Sequence, residues 1–186
     1  LDLVDGRGTR VLAEVASGAD PGALTALVGD VIHEAAPQPR LVLIQALAKG
    51  GRDEQAVETA TEVGVDEILP WAADRSIVKW QGKKQQAGQQ RWSRLAQAAT
   101  KQARRAFIPQ VGEVKASQAL AATIRERSQA GAVVLICHES AEEPLSKTLE
   151  NLGTALAGAP EVDVIVGPEV GITDQELASF TAAGAT

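Results

Sequence analysis

The sequence is short of the residues that form disulfides and metal clusters. Cys137 is the only cysteine among 186 residues, so neither an internal disulfide nor a cysteine-based zinc cluster can form. The histidines, His33 and His138, have no His or Cys partner, and no Ser-His-Asp pattern surrounds them. We therefore predict no metal site, and a reducing cytoplasm as the location. Cys137 ends an apolar run, which predicts a small buried side chain.

Long apolar runs are also missing. None approaches the ~20 residues of a membrane-spanning helix, so we predict a protein that does not enter the bilayer. Hydrophobic residues make up 45% of the chain and charged residues 23%, which is typical of a globular protein with one substantial core. The chain opens at LDLVDGRG in mid-pattern and without Met, so we expect the natural N-terminus to lie upstream.

Acidic residues are absent from residues 75–105, although the net charge is −6 and the chain has 24 acids. A concentrated cationic segment in an acidic protein favours a docking surface for RNA or DNA, because several cations are needed to neutralise a phosphate backbone. The alternative is an ordinary solvated basic face. Nine basic residues lie in the segment: Arg75, Lys79, Lys83, Lys84, Arg91, Arg94, Lys101, Arg104 and Arg105.

The common nucleotide fingerprints are missing. Neither G-x-G-x-x-G nor G-x-x-x-x-G-K-[ST] follows a predicted strand, which argues against a nicotinamide enzyme or a P-loop nucleotidase. One strand nevertheless ends in an unusual corner within VDVIVGPEVGITDQEL, residues 162–177. Glycines after a parallel strand let backbone amides approach a ligand, and Pro168 stiffens the loop. The corner is a candidate ligand loop, with a simple tight turn as the alternative.

The pattern of elements divides the chain in two. LDLV, a turn at residues 5–8 and TRVLAEV predict a β-hairpin, and EAAPQPR at residues 34–40 predicts a linker. Strands and helices then alternate, which predicts an α/β domain with a mostly parallel sheet and helices on both faces. The predicted strands are residues 41–47, 67–73, 132–137 and 162–166, and the predicted helices are residues 52–64, 89–105, 117–129, 145–156 and the segment from Thr173.

The helix predicted over residues 89–105 has two distinct faces. One is apolar, so we predict Trp92 in the core rather than as a platform for base stacking. QGKKQQAGQQ, residues 81–90, predicts a loop before it, and Trp80 has no assigned role. The apolar face comprises Trp92, Leu95, Ala96, Ala99 and Ala103, and the adjoining ridge of four cations comprises Arg91, Arg94, Lys101 and Arg105.

The corner IVGPEVG, residues 165–171, resembles the I-G-P-E-G-G loop of the trefoil-knotted SPOUT methyltransferases. It most resembles the ribosomal small-subunit methyltransferase E family, which methylates N3 of a uridine in 16S ribosomal RNA. Residues 49–76 are similar to the family's K-G-x-R-x-E-x-x-x-x-K-A-T-E-L-G-V-x-x-I-x-P-x-x-x-x-R-S. Arg91-Trp92 matches its R-W, and Gln102, Arg105 and Pro109 match its E-Q-x-x-R-x-x-x-P. LDLVDGRG resembles the end of its small PUA-like β domain.

The resemblance implies a fold, a cofactor and partners. Residues 1–36 would be the C-terminal part of a PUA-like RNA-binding barrel, and residues 37–186 a SPOUT-type domain without its C-terminal knot segment. S-adenosylmethionine would be the methyl donor, 16S ribosomal RNA or the small subunit the partner, and the protein a homodimer. The cofactor site would comprise Val166, Gly167, Pro168, Glu169, Gly171 and Glu139. The resemblance and the cationic segment together predict the residues that contact RNA. They are Lys49, Arg52, Arg75, Lys83, Lys84, Arg91, Arg94, Lys101 and Arg105.

The methylation chemistry leaves two residue roles open. Transfer to the uridine N3 requires a base that removes its proton or a cation that stabilises the anion. Glu169 is the only acid in the loop and a candidate base, with the alternative that its carboxylate orders the loop by accepting backbone amides. Arg75 is the candidate cation, and RNA phosphate binding is its alternative role.

Val170 departs from the family's pattern, which has glycine at this position. A valine resists positive φ, so a left-handed conformation there would impair cofactor binding. That outcome would favour an RNA-binding protein without catalysis.

Overall fold

The computed structural model describes residues 1–16 and 24–186. A small antiparallel sheet precedes an α/β domain. The elements in chain order are β1 (Asp2–Val4), β2 (Thr9–Val15), β3 (Ala26–His33), β4 (Arg40–Ala46), α1 (Arg52–Val63), β5 (Glu67–Ala72), α2 (Lys83–Gln102), β6 (Gln110–Val111), β7 (Lys115–Ala116), α3 (Ser117–Gln129), β8 (Val133–Cys137), α4 (Leu145–Gly158), β9 (Glu161–Val166) and α5 (Asp174–Ala182).

The larger sheet has the order β6-β5-β4-β9-β8, with β7 also pairing with β5. Every pairing in it is parallel, and the central strand β4 places Leu43 opposite Ile68 of β5 and Val164 of β9. The strands are rich in Val, Ile and Leu, as expected where helices cover both faces. The predicted parallel α/β fold is confirmed. Because the strands are parallel, their carboxyl ends meet at one edge of the sheet.

Separate apolar clusters fill the two faces of this sheet. On one face α3 and α5 pack on the strands, and Trp71 meets Phe180 edge to face with ring centroids 5.2 Å apart. On the other face α1 and α2 pack around Trp92, which is fully buried as predicted. The leucines of α4 cover Leu135 and Val162 on this second face. No helix among the described residues is both long enough and apolar enough to cross a membrane.

Helix α2 differs from its prediction at both ends. It begins at Lys83, so most of the predicted Gln/Lys-rich loop is helical, since Gln, Lys and Ala are good helix formers. It ends at Gln102, which leaves Ala103 exposed beyond the helix rather than on the buried face. Trp80 packs edge to face against Trp92, with ring centroids 5.0 Å apart, and is a core residue.

The N-terminal sheet has the order β1-β2-β3 and is antiparallel. The predicted hairpin is present, but strand β3 was missed because Gly29 and Asp30 interrupt its alternation. Residues 6–8 join this sheet to the α/β domain, since Gly8 N donates to Ala106 O at 3.0 Å and Ile108 N donates to Gly6 O at 3.0 Å. Assignment of residues 1–36 to a PUA-like barrel stays a prediction.

A buried ionic cluster lies at the amino ends of the strands, away from the loops that follow their carboxyl ends. The Arg127 guanidinium from α3 contacts Asp163 at 3.3 Å, Glu67 at 2.9 Å and Glu161 at 3.2 Å. Asp163 is fully buried in the sheet. Burial raises the pKa of Asp163 to about 7, because desolvation penalises the charged carboxylate more than Arg127 stabilises it.

This pKa predicts a pH-dependent stability. Since the folded protein keeps a proton on Asp163 that the unfolded chain releases near pH 4, the free energy of unfolding should fall between about pH 4 and pH 7 and then level off. Asp163→Asn, which mimics the protonated form, should remove this slope and be more stable at pH 8, by on the order of 3 kcal/mol. Denaturant unfolding across pH tests this, with the exposed Asp30→Asn as control. An unchanged slope in Asp163→Asn would contradict the assignment.

Candidate functional site

Loops from the carboxyl ends of four strands meet at one edge of the parallel sheet. A Cβ added to Gly171 after β9 would lie 3.5 Å from Glu139 Oε1 after β8 and 3.7 Å from Arg75 Nη1 after β5. The Glu169 carboxylate accepts a hydrogen bond from Lys49 N, after β4, at 3.1 Å. The residues predicted to bind the cofactor thus lie next to residues predicted to contact RNA. Lys49 and Gly171, which are 122 positions apart in the sequence, are part of this one region.

The loop over residues 167–171 is a tight turn with little spare room. Gly171 N donates to Pro168 O at 2.9 Å, and Gly171 has a φ of +79°, a conformation that glycine adopts without strain. The side chain of Ile172 packs directly against Gly167, and a Cβ at Gly167 would lie 2.6 Å from Ile172 Cγ1. Both glycines are required by the geometry, and Pro168 is buried beneath the turn.

Val170 fits this loop without backbone strain. Among the described residues Arg104 is the one non-glycine with positive φ, so Val170 does not adopt the left-handed conformation considered in the sequence analysis. Its side chain is half exposed. The φ-based reason for expecting impaired cofactor binding therefore does not apply, because the left-handed position of the turn falls on Gly171.

Glu169 is tied to the loop after β4. Besides Lys49 N, its carboxylate meets the Arg52 guanidinium at 3.4 Å. The pKa of Glu169 is lowered, first because its own backbone amide donates to the carboxylate and further because of the Lys49 amide and Arg52. A carboxylate stabilised in this way is a weak base, and its contacts favour the loop-ordering role.

These contacts predict how Glu169→Gln behaves. An amide accepts from Lys49 N more weakly than a carboxylate, so the affinity for the loop's ligand should fall about fivefold to tenfold. For the methyl transfer that the sequence predicts, the maximum rate and its pH profile should stay close to parental values. For ligand affinity alone, Arg52→Gln is the comparison, because it removes only the exposed ion pair of Glu169 and keeps the Lys49 N contact. A loss of one limb of the pH profile together with a hundredfold lower kcat would identify Glu169 as the base.

Arg75 links two of the loops. Its Nη1 donates to Val170 O at 3.3 Å, while the rest of the side chain is exposed at the edge of the site. Lys79, which the sequence analysis gave no role in the site, donates from Nζ to Ala73 O at 3.0 Å and to Asp74 O at 3.4 Å. It therefore steadies the loop that carries Arg75. Its position in the basic segment, four residues after Arg75, was the available signal.

A groove of about 510 Å³ runs beside this loop, between residues 77–80 and the first turns of α2. Lys79, Lys84 and Arg91 line it, and Ile77 is 64% exposed at its margin. Lys83, Arg94 and Lys101 are exposed on α2, and Lys49 and Arg52 are exposed at the start of α1. Arg91 also pairs with Glu54 of α1. Most of the cations predicted to contact RNA are therefore exposed to solvent. The row of cations starts next to the loop that carries Arg75.

Arg105 does not belong to that exposed set. It lies beyond the end of α2, and its Nη1 donates to Thr61 O at 2.8 Å and Val65 O at 2.7 Å while Nη2 donates to Gly64 O at 3.1 Å. These three carbonyls lie at or just beyond the C-terminal end of α1, where backbone carbonyls need partners from outside the helix. Burial lowers the pKa of Arg105, and the side chain is 14% exposed. The assignment of Arg105 to RNA contact is therefore replaced by a structural role as the C-terminal cap of α1.

Cys137 is exposed, contrary to the prediction of a buried side chain. It ends β8 at the edge of the sheet and lines a cavity of about 560 Å³ with His138, Glu139, Leu145 and Thr186. The apolar run was read correctly as a strand, and only its last residue, Cys137, is exposed. Among residues 1–16 and 24–186 no group of His, Cys, Asp and Glu side chains is placed to hold a metal ion.

The fold is that of a parallel α/β domain in which the loops after four strands meet at the carboxyl edge of the sheet, where ligands bind in such folds, and a cationic helix lies beside them. The chain belongs to the family described as the RNA methyltransferase domain, whose model matches residues 34–186.

Individual relatives agree with this family. A Mycobacterium bovis protein named ribosomal RNA small subunit methyltransferase E is 40% identical over 148 residues, which are 80% of this chain and 54% of that protein. A Bacillus subtilis protein of the same name is 26% identical over 142 residues, 76% of this chain and 54% of the relative. The chain thus spans about half the length of these curated relatives.

Solved structures have the same fold. A ribosomal RNA small subunit methyltransferase E from Neisseria gonorrhoeae, solved bound to S-adenosylmethionine, superposes with a TM-score of 0.77 at 23% identity, covering 100% of this chain and 72% of that one. A methyltransferase from Legionella pneumophila in complex with the same cofactor gives a TM-score of 0.77 at 22% identity, covering 99% of this chain and 71% of that one.

Proposed function

We propose that the protein transfers a methyl group from S-adenosylmethionine to N3 of a uridine in 16S ribosomal RNA. The observation that carries the proposal is the meeting of the residue 167–171 loop with Glu139 and Arg75 at one sheet edge, beside an exposed cationic helix. The names of the curated relatives and the ligand in two structural neighbours support the substrate class and the cofactor.

The residues present suit this cofactor. Gly171 lies between Glu139 and Arg75, so a ligand at this edge of the sheet would meet an acid on one side and a cation on the other. S-adenosylmethionine carries both charges, with a carboxylate and an ammonium group in its amino-acid part, and it supplies an activated methyl group. Val166, Gly167, Pro168 and Glu169 complete the loop beside it, where they would hold the cofactor through the turn that Lys49 and Glu169 fix.

Arg75 is the residue we assign to the uridine. The N3 proton has a pKa well above neutrality, so a nearby guanidinium favours its loss by stabilising the anion that forms. Arg75 lies at the cofactor loop through its contact with Val170 O and remains exposed toward the groove beside α2. Glu169 orders the loop and does not take the proton, because its carboxylate is held by Lys49 N and Arg52 and its pKa is lowered.

The RNA would dock along the exposed cations at the starts of α1 and α2 and along α2. Their positive charge stands out in an acidic chain, so repulsion elsewhere orients the polyanion toward this face. We extend the proposal to the small ribosomal subunit as the partner, to a homodimer and to the cytoplasm. The Val170 geometry makes the alternative, an RNA-binding protein without catalysis, the weaker candidate.

A salt titration tests the RNA surface. Replacing both Arg94 and Lys101 by Gln should weaken binding of a 16S RNA fragment about tenfold and make the slope of log Kd against log salt shallower by about 1 to 2. Fluorescence anisotropy measures both. The control replaces two charged residues on a different helix, the exposed acids Glu58 and Glu62 of α1, by Gln. It should leave the affinity for RNA close to the parental value. A salt slope unchanged by the double cationic substitution would remove α2 from the docking surface.

Calorimetric titration of S-adenosylmethionine into the full-length protein separates the two candidate functions. The enzyme should bind with a stoichiometry of about one per chain, at the micromolar to millimolar levels usual for enzyme ligands. Binding of RNA without binding of S-adenosylmethionine would favour the RNA-binding protein.

A further inference from the structure

Glu176 is a buried carboxylate with an unusually full set of hydrogen-bond donors. It lies in the first turn of α5 and is 2% exposed. Oε1 accepts from Ser117 Oγ at 2.6 Å and from Asp74 N at 2.8 Å. Oε2 accepts from Thr173 Oγ1 at 2.8 Å and from Thr173 N at 3.0 Å.

These hydrogen bonds join three segments that are distant in sequence. Asp74 precedes Arg75 in the loop after β5, and Thr173 follows the residue 167–171 loop after β9 by two positions. Ser117 begins α3 and also accepts a hydrogen bond from Trp71 Nε1 at 3.1 Å. The carboxylate thus fixes the loop that carries Arg75 relative to the loop that carries Gly171.

Half of these bonds serve a purpose other than capping α5. The capping box of this helix needs Oε2 and Thr173 alone, and it is complete, with Glu176 N also donating to Thr173 Oγ1 at 3.1 Å. Oε1 is turned to Asp74 and Ser117, neither of which belongs to α5. A carboxylate that only capped its helix would need no contact with the loop after β5.

We propose that Glu176 is a positioning residue that sets the separation between Arg75 and the residue 167–171 loop, and so aligns the cofactor with the uridine. This inference rests on the proposed function. Glu176 lies behind the two loops and acts through Asp74 and Thr173.

The charge of Glu176 is essential to this arrangement. Two backbone N–H groups, of Asp74 and Thr173, point at its two oxygens, so both oxygens must be acceptors. A glutamine has one acceptor and one NH2 group, and either orientation turns that NH2 toward one of the N–H donors. Burial alone would raise the pKa of Glu176, but the hydrogen bonds from Ser117, Asp74 and Thr173 together lower it, which keeps the carboxylate ionised.

The test compares Glu176→Gln with Asp174→Asn in the full-length protein. Asp174 is an exposed acid in the same helical turn, so its substitution makes the same change in charge without touching the loops. We expect Glu176→Gln to bind S-adenosylmethionine about tenfold more weakly by calorimetry. Amide exchange should quicken at residues 73–76 and 167–173, while strands β4 and β9 keep parental protection. Asp174→Asn should match the parental protein in both measurements.

Three outcomes would overturn the proposal. Parental affinity in Glu176→Gln would do so, as would parental exchange in both loops, or faster exchange spread evenly through the core, which marks a general loss of stability. If Glu176→Gln does not fold, Ser117→Ala decides: about threefold weaker binding with faster exchange at Asp74 supports the proposal, and parental values contradict it. If the parental protein binds no S-adenosylmethionine, the proposed function fails, while the exchange data still decide whether Glu176 links the loops.

Discussion

Arg75→Gln is expected to lower kcat for methyl transfer by about a hundredfold or more, because it removes the cation that we propose stabilises the uridine anion. The loss should shrink as the assay pH rises toward the pKa of N3, since more of the uridine then ionises without assistance. Steady-state kinetics with labelled S-adenosylmethionine between pH 6.5 and pH 9.5 would measure both effects.

Two comparisons isolate the effect of Arg75 on the anion. Arg94→Gln removes an exposed cation from α2 and should raise KM for RNA with little change in kcat. Arg75→Gln also removes the hydrogen bond to Val170 O, and the loss of that bond would weaken cofactor binding. Calorimetry with S-adenosylmethionine measures this change in affinity, so that it can be separated from the change in kcat. If Arg75→Gln raises KM for RNA and leaves kcat and its pH profile at parental values, Arg75 binds phosphate and the proposed role is wrong.

Gly167→Ala is expected to disrupt the residue 167–171 loop, which we propose binds the cofactor. The added methyl group would lie 2.6 Å from Ile172 Cγ1, and Ile172 is 3% exposed, so neither side can move without repacking. Overpacking of this kind costs about 1–3 kcal/mol in unfolding free energy. Affinity for S-adenosylmethionine should fall by at least tenfold, because the turn must shift to relieve the contact.

Gly158→Ala is the matched control. A Cβ at Gly158 meets nothing within 4 Å, and Gly158 ends α4, so the substitution should leave stability and affinity nearly unchanged. Thermal unfolding and calorimetry of both variants provide the comparison. Parental affinity in Gly167→Ala would show that the loop tolerates displacement, and the argument from close packing would then be wrong.

The parallel sheet, and the meeting of the candidate site's loops at one edge of it, could be predicted from local patterns. Apolar runs such as the one around Ile165 identify strands, and the capping box at Thr173 identifies the start of α5. Since parallel strands place their carboxyl ends at one edge, the loop with Glu169 and the loop with Arg75 could be expected to meet there.

Local sequence patterns could not predict the contacts between segments that are distant in the sequence. Arg105 looked like one more cation of α2, and its position at the end of α1 depends on where two helices stop. Exposure of Cys137 depends on which segments pack around the end of β8, which no local pattern specifies. The Oε1 contacts of Glu176 depend on how α5 packs against α3 and the loop after β5, whereas its capping-box contact was readable from Thr173 and Glu176, three residues apart.

Val170 illustrates the limit of reasoning from a motif. A valine at a position occupied by glycine in similar proteins suggested strain, but the strain depends on the φ of that residue. The positive φ of the turn lies at Gly171. The substitution therefore adds a half-exposed side chain beside the site without deforming the backbone.

The most direct test of the account is methyl transfer to 16S ribosomal RNA. Full-length protein would be incubated with labelled S-adenosylmethionine and either 30S subunits or protein-free 16S RNA from cells that lack the enzyme, and the label mapped by mass spectrometry. We expect one methyl group per RNA, on N3 of a uridine, and a lower rate of transfer with Arg75→Gln. Label on another atom or another RNA, or none with protein that binds S-adenosylmethionine, would contradict it.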